Sequence, residues 1–335
     1  MKNVFIFALA IPLALLTGCT TLIQQNPNPR NPVRWPARML AKTDVTADIP
    51  AFEFEKEEDG VREGTVTVGA EILNFEYRRS KLRPEEKHEV VFVYRILNDA
   101  GGVVSGMAAG MILDAGFDCI IVKQENFLSK AWVRPVLPDG GKEKSYDEYN
   151  AALARGVGRI IYHWIPDQPK LTGRYAFVGI SMGGIHAVGA ASLFPDAVLT
   201  VAIMAGGGNS EIFKGSQESL VIFNRNALIK QYADYLSKKY PGREMGSSET
   251  LYRDIEKLDF DIIRAARAVD TRKIKMMISL HDTSVPTSCQ WNLYHALGGP
   301  EARLFPTGHY TLALYYFSLK DQLQEWLREG FSGRS

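Results

Sequence analysis

The chain of 335 residues predicts an α/β fold with a mostly parallel central sheet and helices on both faces. Apolar runs of strand length recur at 90–94, 118–122 and 197–204, and such runs are typical of strands covered on both faces. Segments with helical spacing of apolar residues, 103–115 and 146–165, lie between these runs. Strands that alternate with helices in this way favour a parallel sheet.

Composition excludes several classes of function. Hydrophobic residues make up 46% of the chain and suffice for a large core, while the net charge of +1 gives no basic field for nucleic acid. The three cysteines are Cys19, Cys119 and Cys289, and none of them lies in a CxxC or Cys/His pattern with metal-ligand spacing. We expect no metal and interpret Cys119 and Cys289 as buried free thiols, with a disulfide between them as the alternative.

The N-terminus has the pattern of a targeting segment over residues 1–19. Lys2 precedes an apolar stretch from Val4 to Leu16 that is too short for an ordinary membrane span. It ends in Leu16-Thr17-Gly18-Cys19, which resembles the bacterial lipobox. This resemblance implies cleavage before Cys19, acylation of that cysteine and a lipid anchor in the cell envelope. A plain secretory peptide cut at small residues is the alternative.

Residues 20–47 are predicted to be a tether, and residues 48–335 the folded domain. The tether carries prolines at close intervals between 27 and 32, which prevent a helix and favour an extended spacer. Thr20 follows the lipobox cysteine, and by resemblance to enteric lipoproteins the absence of aspartate there implies the outer membrane. Within the domain, strand-like stretches at 65–68 and 72–77 precede the alternating region.

The stretch from Val178 to Gly184 predicts a strand, a sharp turn and a helix, with Ser181 at the apex. Gly179 and Gly183 leave room for a strained serine backbone because neither has a Cβ. The sequence Gly-Ile-Ser-Met-Gly resembles the nucleophile elbow of the α/β-hydrolase family. An ordinary glycine-rich turn is the alternative for this motif taken alone.

Two later motifs strengthen the resemblance to that family. His281-Asp282-Thr283-Ser284-Val285-Pro286 follows an apolar strand and resembles the family's acid motif, and Gly308-His309 follows the last predicted strand and resembles its histidine loop. The order serine, aspartate, histidine is the one the family uses. The resemblance covers residues from about 60 to 328 and implies Ser181 as nucleophile, Asp282 as orienting acid and His309 as general base.

Other residues compete for two of these roles. His281 and His186 are alternative bases, the first beside the acid motif and the second on the helix after Ser181. Asp261 and Asp270 are alternative acids if Asp282 is only a turn residue, although neither follows a strand.

The resemblance also implies an oxyanion hole made of two backbone amides. Met182, directly after the nucleophile, supplies the first, and the loop after residues 90–94 is expected to supply the second from Leu97. The chain departs from the family's His-Gly pattern in that loop, where it has Arg95 and Ile96.

Two segments are candidates for shaping the pocket. Residues from about 208 to 270 contain helical patterns without a clear strand, and by family resemblance they form a helical cap insertion. The loop 124–142 follows a strand and is a candidate pocket wall, with an ordinary solvated loop as the alternative.

The motifs together predict a serine hydrolase that cleaves a carboxylic ester of a small acyl substrate and needs no cofactor. Thioesters and peptides are cleaved by the same triad, so these reactions stay open. A non-catalytic envelope lipoprotein that uses the fold as a binding scaffold is a further alternative, motivated by Arg95 and Ile96. The sequence leaves the oligomeric state open.

Overall fold

The computed structural model describes most of the predicted domain. The described residues are 21–23, 51–55, 57–58, 60–69, 71–96, 99, 102–123, 146–218, 222, 225–226, 229–230, 232–234, 237–238, 241–242, 247–256 and 261–333. Cys19, Leu97 and the loop 124–142 lie outside these residues, as does most of the predicted tether. The described part of the predicted tether, Thr21–Ile23, is not a free spacer but an edge strand that pairs antiparallel with residues 302–304.

The described strands form one sheet of ten strands. Its order is β1-β10-β9-β8-β7-β5-β6-β4-β3-β2. The strands are β1 Thr21–Ile23, β2 Phe52–Phe54, β3 Val61–Val68, β4 Glu71–Arg78, β5 His88–Tyr94, β6 Asp118–Lys123, β7 Leu171–Ile180, β8 Thr200–Ile203, β9 Ile274–Ser279 and β10 Glu301–Phe305. Six neighbouring strands, from β6 through β5 and β7 to β10, pair in parallel, and the strands outside them pair antiparallel. The predicted α/β class and mostly parallel sheet are confirmed.

Helices connect the parallel strands. They are α1 Val103–Leu113, α2 Tyr146–Arg159, α3 Met182–Leu193, α4 Asn209–Gly215, α5 Ser247–Ile255, α6 Ile262–Ala266, α7 Thr287–Ala296 and α8 Tyr316–Ser332. The predicted C-terminal helix from Thr311 to Leu327 begins instead as a 3₁₀ turn over Thr311–Tyr315 and continues as α8. None of the helices in the described ranges is long and apolar enough to cross a membrane.

Both faces of the sheet are covered, as the continuous apolar strands predict. Alternate residues of β5 enter two separate cores, with Phe92 on one face and Val93 on the other. Helices α1 and α8 cover the Val93 face, where the Trp326 side chain is fully buried, and α2, α3, α6 and α7 cover the Phe92 face. Cys119 and Cys289 are buried free thiols in different cores.

The order of the central strands places a crevice beside β7. The chain passes from β5 through α1 to β6 on one side of β5, whereas β7 pairs with the other side of β5. Successive connections therefore leave in opposite directions between β5 and β7. In open α/β sheets, ligands bind at such a switch point, outside the carboxyl ends of the strands.

The region between β8 and β9 corresponds to the predicted insertion 208–270. Its described residues contain α4, α5 and α6 and no strand. Helices α4 and α5 are joined by the Phe213 and Tyr252 rings, whose centroids lie 6.2 Å apart, and by the Ser210 hydroxyl, which donates to Glu256 at 2.7 Å. The role of this insertion as a cap stays a prediction.

Candidate active site

Ser181 lies at the turn between β7 and α3 in a backbone conformation that serine rarely adopts. Its φ is 56° and its ψ is −122°. Such a conformation is strained by about 1–3 kcal/mol and persists only where the surroundings hold it. Here the Ser181 amide donates to the Ile203 carbonyl on β8 at 2.7 Å, and its own carbonyl accepts from the Gly184 amide at 2.9 Å.

Two glycines are required by the close packing of this turn. A Cβ on Gly179 would lie 2.1 Å from the Gly183 carbonyl oxygen. A Cβ on Gly183 would lie 2.2 Å from the carbonyl oxygen of Tyr94, the last residue of β5. The turn thus presses directly against the end of β5, at the switch point of the sheet.

One of the two predicted oxyanion donors lies within the described residues. Met182 is the first residue of α3 and follows Ser181 directly, and the first amides of a helix have no intrahelical acceptor. The helix N-terminus also favours negative charge at this position.

Asp282 follows β9 and is held by four hydrogen bonds. Its side chain is fully buried. Oδ1 accepts from the Ser284 and Val285 amides, each at 2.9 Å. Oδ2 accepts from Gln290 Nε2 at 3.0 Å and lies 2.9 Å from His309 Nδ1. These contacts fix the plane and direction of the carboxylate.

His309 follows β10 and is oriented by Asp282. Because an ionised carboxylate can only accept, the proton of the neutral imidazole lies on Nδ1 and leaves Nε2 as the basic atom. The His281 amide donates to the Thr307 carbonyl at 2.9 Å, which joins the loops that carry Asp282 and His309. Within the described residues no hydrogen bond joins His309 to Ser181, but His309 and Ile180 line the same cavity.

The alternative bases occupy different environments. His186 is buried on α3 with its ring stacked on Tyr94 at a centroid distance of 6.4 Å, and burial lowers its pKa to about 3. It is therefore neutral near pH 7. His281 is exposed at the surface beside Asp282.

The alternative acids cap short helical segments. Asp261 Oδ1 accepts from the Ile263 amide at 2.9 Å at the start of α6. Asp270 Oδ1 accepts from the Arg272 amide at 3.0 Å, and its carboxylate also binds the Arg272 guanidinium. Of the three candidate acids, the structure brings Asp282 to His309.

Sequence reasoning missed the side chain that supports the carboxylate. Gln290 on α7 is fully buried, and its Nε2 donates to Asp282 and to the Val285 carbonyl at 2.9 Å. Its Oε1 accepts from the Ser279 amide at 3.0 Å at the end of β9. A single glutamine eight positions after the aspartate gives no recognisable pattern, so no sequence signal identifies it.

The residues that depart from the family's His-Gly pattern have a structural role. Arg95 Nε donates to Asp99 Oδ2 at 3.2 Å, and the Asp99 carboxylate accepts from the Val104 and Ser105 amides at 3.0 Å each at the start of α1. Burial would raise the pKa of Asp99, but the hydrogen bonds from Ser105, Val104 and Arg95 outweigh it and lower the pKa. The pair joins the end of β5 to the start of α1.

One residue of the insertion contacts both the loop that carries Asp282 and the loop that carries His309. Glu218 Oε2 accepts from the Tyr310 hydroxyl at 2.5 Å and from the Ser284 hydroxyl at 3.1 Å. The neighbouring Gln217 amide donates to the Thr283 carbonyl at 2.8 Å. The start of the insertion is thus attached to the loops after β9 and β10.

The comparisons with known proteins agree with this architecture. No protein-family profile and no curated protein matches the chain. An acetyl xylan esterase from Paenibacillus sp. R4 superposes with a TM-score of 0.61 at 16% identity, covering 86% of this chain and 92% of its own. The chain has the α/β-hydrolase fold.

Two further solved structures show the same hydrolase fold. Acetyl xylan esterase 1 from Thermoanaerobacterium sp. JW/SL YS485 has a TM-score of 0.56 at 14% identity and covers 91% of this chain and 98% of its own. The glucuronoyl esterase from Solibacter usitatus has a TM-score of 0.53 at 13% identity, with 84% and 86% covered. In the described part of this hydrolase fold, no group of three or more His, Cys, Asp or Glu side chains is arranged to hold a metal.

Replacing Gln290 with leucine should destabilise the hydrolase fold. The change leaves the Ser279 amide and the Val285 carbonyl without this partner inside the protein, so we expect the free energy of unfolding to fall by roughly 2–5 kcal/mol. Urea denaturation measures it. Gln168→Leu, which removes one hydrogen bond to the Trp164 carbonyl, should cost about 1 kcal/mol. Equal costs for the two variants would contradict the role of Gln290.

His186 should make the protein less stable in acid. Its pKa is about 3 in the folded protein and about 6.5 when unfolded, so below pH 6.5 the unfolded chain binds a proton that the folded protein does not. We expect wild type to lose about 2 kcal/mol more than His186→Phe between pH 7 and pH 5. Urea titrations at both pH values test this, with the exposed His281→Phe as control. Identical pH dependence in wild type and His186→Phe would refute the expectation.

Proposed function

We propose that the chain is a serine hydrolase that cleaves carboxylic esters with Ser181, His309 and Asp282. The observation that carries this proposal is the contact of 2.9 Å between the buried Asp282 carboxylate and His309 Nδ1. It lies at the same sheet edge as the strained Ser181 turn. The structural neighbours that bear esterase names support ester chemistry.

Acylation follows from the assigned roles. Ser181 Oγ attacks the ester carbonyl while His309 Nε2 takes the hydroxyl proton, and Asp282 stabilises the imidazolium that forms. The carbonyl oxygen becomes an oxyanion that the Met182 amide binds, and each such donor is worth roughly 2.7–4 kcal/mol. His309 then gives its proton to the departing alcohol as the ester C–O bond breaks.

Deacylation repeats these steps with water. His309 removes a proton from a water molecule, whose oxygen attacks the acyl-enzyme carbonyl. The bond from the acyl carbon to Ser181 Oγ breaks, and the proton returns from His309 to the serine. Free acid and unchanged enzyme result.

The same chemistry would cleave thioesters and peptides. The alternative outside enzymes is a non-catalytic protein that uses the fold as a binding scaffold. The scaffold hypothesis was motivated by Arg95 and Ile96. Because Arg95 pairs with Asp99 and braces the start of α1, its presence has a structural reason that is compatible with catalysis. This observation favours the enzyme.

Labelling with a fluorescent fluorophosphonate tests the proposal. We expect the full-length protein to be labelled and Ser181→Ala and His309→Ala to remain unlabelled, because phosphonylation needs an activated serine. Ester hydrolysis should fall by roughly 10⁶-fold in Ser181→Ala. Ser237→Ala and His281→Ala, which change the same residue types outside the triad, should label like wild type.

Two results would contradict the assignment in different ways. A folded wild-type protein that takes no label would favour the scaffold. Label that survives Ser181→Ala would show that another residue is the nucleophile.

We further propose that the mature chain begins at Cys19 and is anchored to the bacterial outer membrane by acyl chains, and that the insertion 208–270 is a cap. The lipobox pattern supports acylation of Cys19. More than one acyl chain would then bind the membrane stably, at about 0.8 kcal/mol for each buried methylene. The contacts of Glu218 with Tyr310 and Ser284 support the cap.

Palmitate incorporation tests the anchor. We expect the full chain, expressed in a bacterium fed radioactive palmitate, to carry label in the membrane fraction. Cys19→Ser should lose both the label and the membrane association, whereas Cys289→Ser should keep them. Cleavage of the wild type without incorporation of label would show a plain secretory peptide instead.

A further inference from the structure

An apolar cavity of about 320 Å³ adjoins His309. Apart from His309, Tyr310 and Tyr316, the side chains that line it are aliphatic or methionine. Such a wall suits hydrocarbon and gives a charged or sugar-like group few hydrogen-bond partners, so burying a polar ligand there would be costly.

The cavity lies on the sheet face covered by α1 and α8. Ala108 and Met111 line it from α1, Leu323 lines it from α8, and Ile180, directly before Ser181, lines it from β7. Two helices of the insertion pack on the opposite face, where Ile212 of α4 and Ile262 and Ala265 of α6 join the other core. Among the described residues, none that line the cavity belong to the insertion.

The exposure of the lining residues shows which end of the cavity is open to solvent. Tyr310 and Val103 are 70% and 62% exposed, whereas Met111 and Leu323 are 6% and 1% exposed. The cavity therefore has a mouth near the histidine loop and walls that reach into the core between α1 and α8.

We propose that this cavity binds the acyl chain of the substrate, and that the substrates are esters of aliphatic acids of roughly six to ten carbons. The proposal rests on the proposed ester hydrolysis and adds the substrate class. At about 30 Å³ for each water-sized group, a figure that already includes the space between groups, the volume holds at most about ten such groups. An acetyl group would leave most of it empty.

The placement of the cavity fits this use. A chain bound there points away from His309 into the core, and its carbonyl end lies beside Ile180, one residue before the nucleophile. The alcohol portion is then left on the solvent side, where His309 protonates it. Each methylene that is buried in the transition state should raise kcat/KM about fourfold.

Kinetics with p-nitrophenyl esters from acetate to dodecanoate, kept below their micelle concentrations, test the substrate class on the full-length chain. We expect kcat/KM to rise about fourfold per methylene to an optimum near eight carbons and then to level or fall. An optimum at acetate would overturn the proposal.

Two cavity variants should shift the optimal chain length in opposite directions. Misfolding would lower activity toward every ester and would not produce opposite shifts. Ala108→Phe fills the cavity and should move the optimum to shorter chains. Met111→Ala enlarges it and should move the optimum to longer chains. Ala154→Phe, on α2 at the other face of the sheet, should keep the wild-type profile. Unchanged optima in both cavity variants would refute the assignment.

Binding of decanoate to the full-length Ser181→Ala variant, measured by calorimetry, separates this proposal from the proposed function. Binding that Ala108→Phe weakens at least tenfold would support the acyl site even if no ester were hydrolysed, a result that would defeat the proposed function alone. Hydrolysis of acetate esters without any decanoate binding would defeat the acyl site and leave ester hydrolysis standing.

Discussion

The structure depends on the close approach of the turn after β7 to the end of β5. A Cβ on Gly183 would lie only 2.2 Å from the Tyr94 carbonyl oxygen, so the two backbones are in direct contact. This contact lies at the switch point of the sheet, where β5 connects in one direction and β7 in the other. Ser181 is thereby held in its strained conformation, at the place where the topology opens a crevice.

The other two candidate catalytic residues reach that crevice because β8, β9 and β10 continue the parallel sheet. Asp282 follows β9 and His309 follows β10, so neighbouring carboxyl ends bring together residues 27 positions apart. The Asp282 carboxylate is held independently of the imidazole, because two backbone amides and Gln290 also bind it. The imidazole of His309 is thus oriented by a carboxylate that is itself fixed, as the proposed role of general base requires.

How far the sequence predicts the site depends on whether a residue is recognised locally. Ser181, Asp282 and His309 each follow an apolar strand in a short motif, so local pattern reading identifies them as candidates. Gln290 contacts Asp282 from the helix that follows it, and Glu218 contacts Tyr310 from a segment 92 positions away. Nothing in the local sequence of either residue identifies it. In the sequence, Arg95 is only a departure from a family pattern. Its ion pair with Asp99 is visible in the three-dimensional structure and not in the motif. The fold class was predictable since buried parallel strands are continuous apolar runs.

The sequence could also not show where substrate size is determined. An insertion of helices between β8 and β9 suggests a cap that selects the substrate. The apolar cavity beside His309 is instead lined by α1, α8, the ends of β7 and β8, and residues after β8 and β10. The two helices are distant in sequence, and their apolar side chains leave part of the space between them and the sheet unfilled. A vacancy of this kind is a property of packing and leaves no motif. If the acyl chain binds there, the insertion, whose Glu218 accepts from Tyr310 at the mouth of the cavity, is placed to act on the alcohol side of the ester.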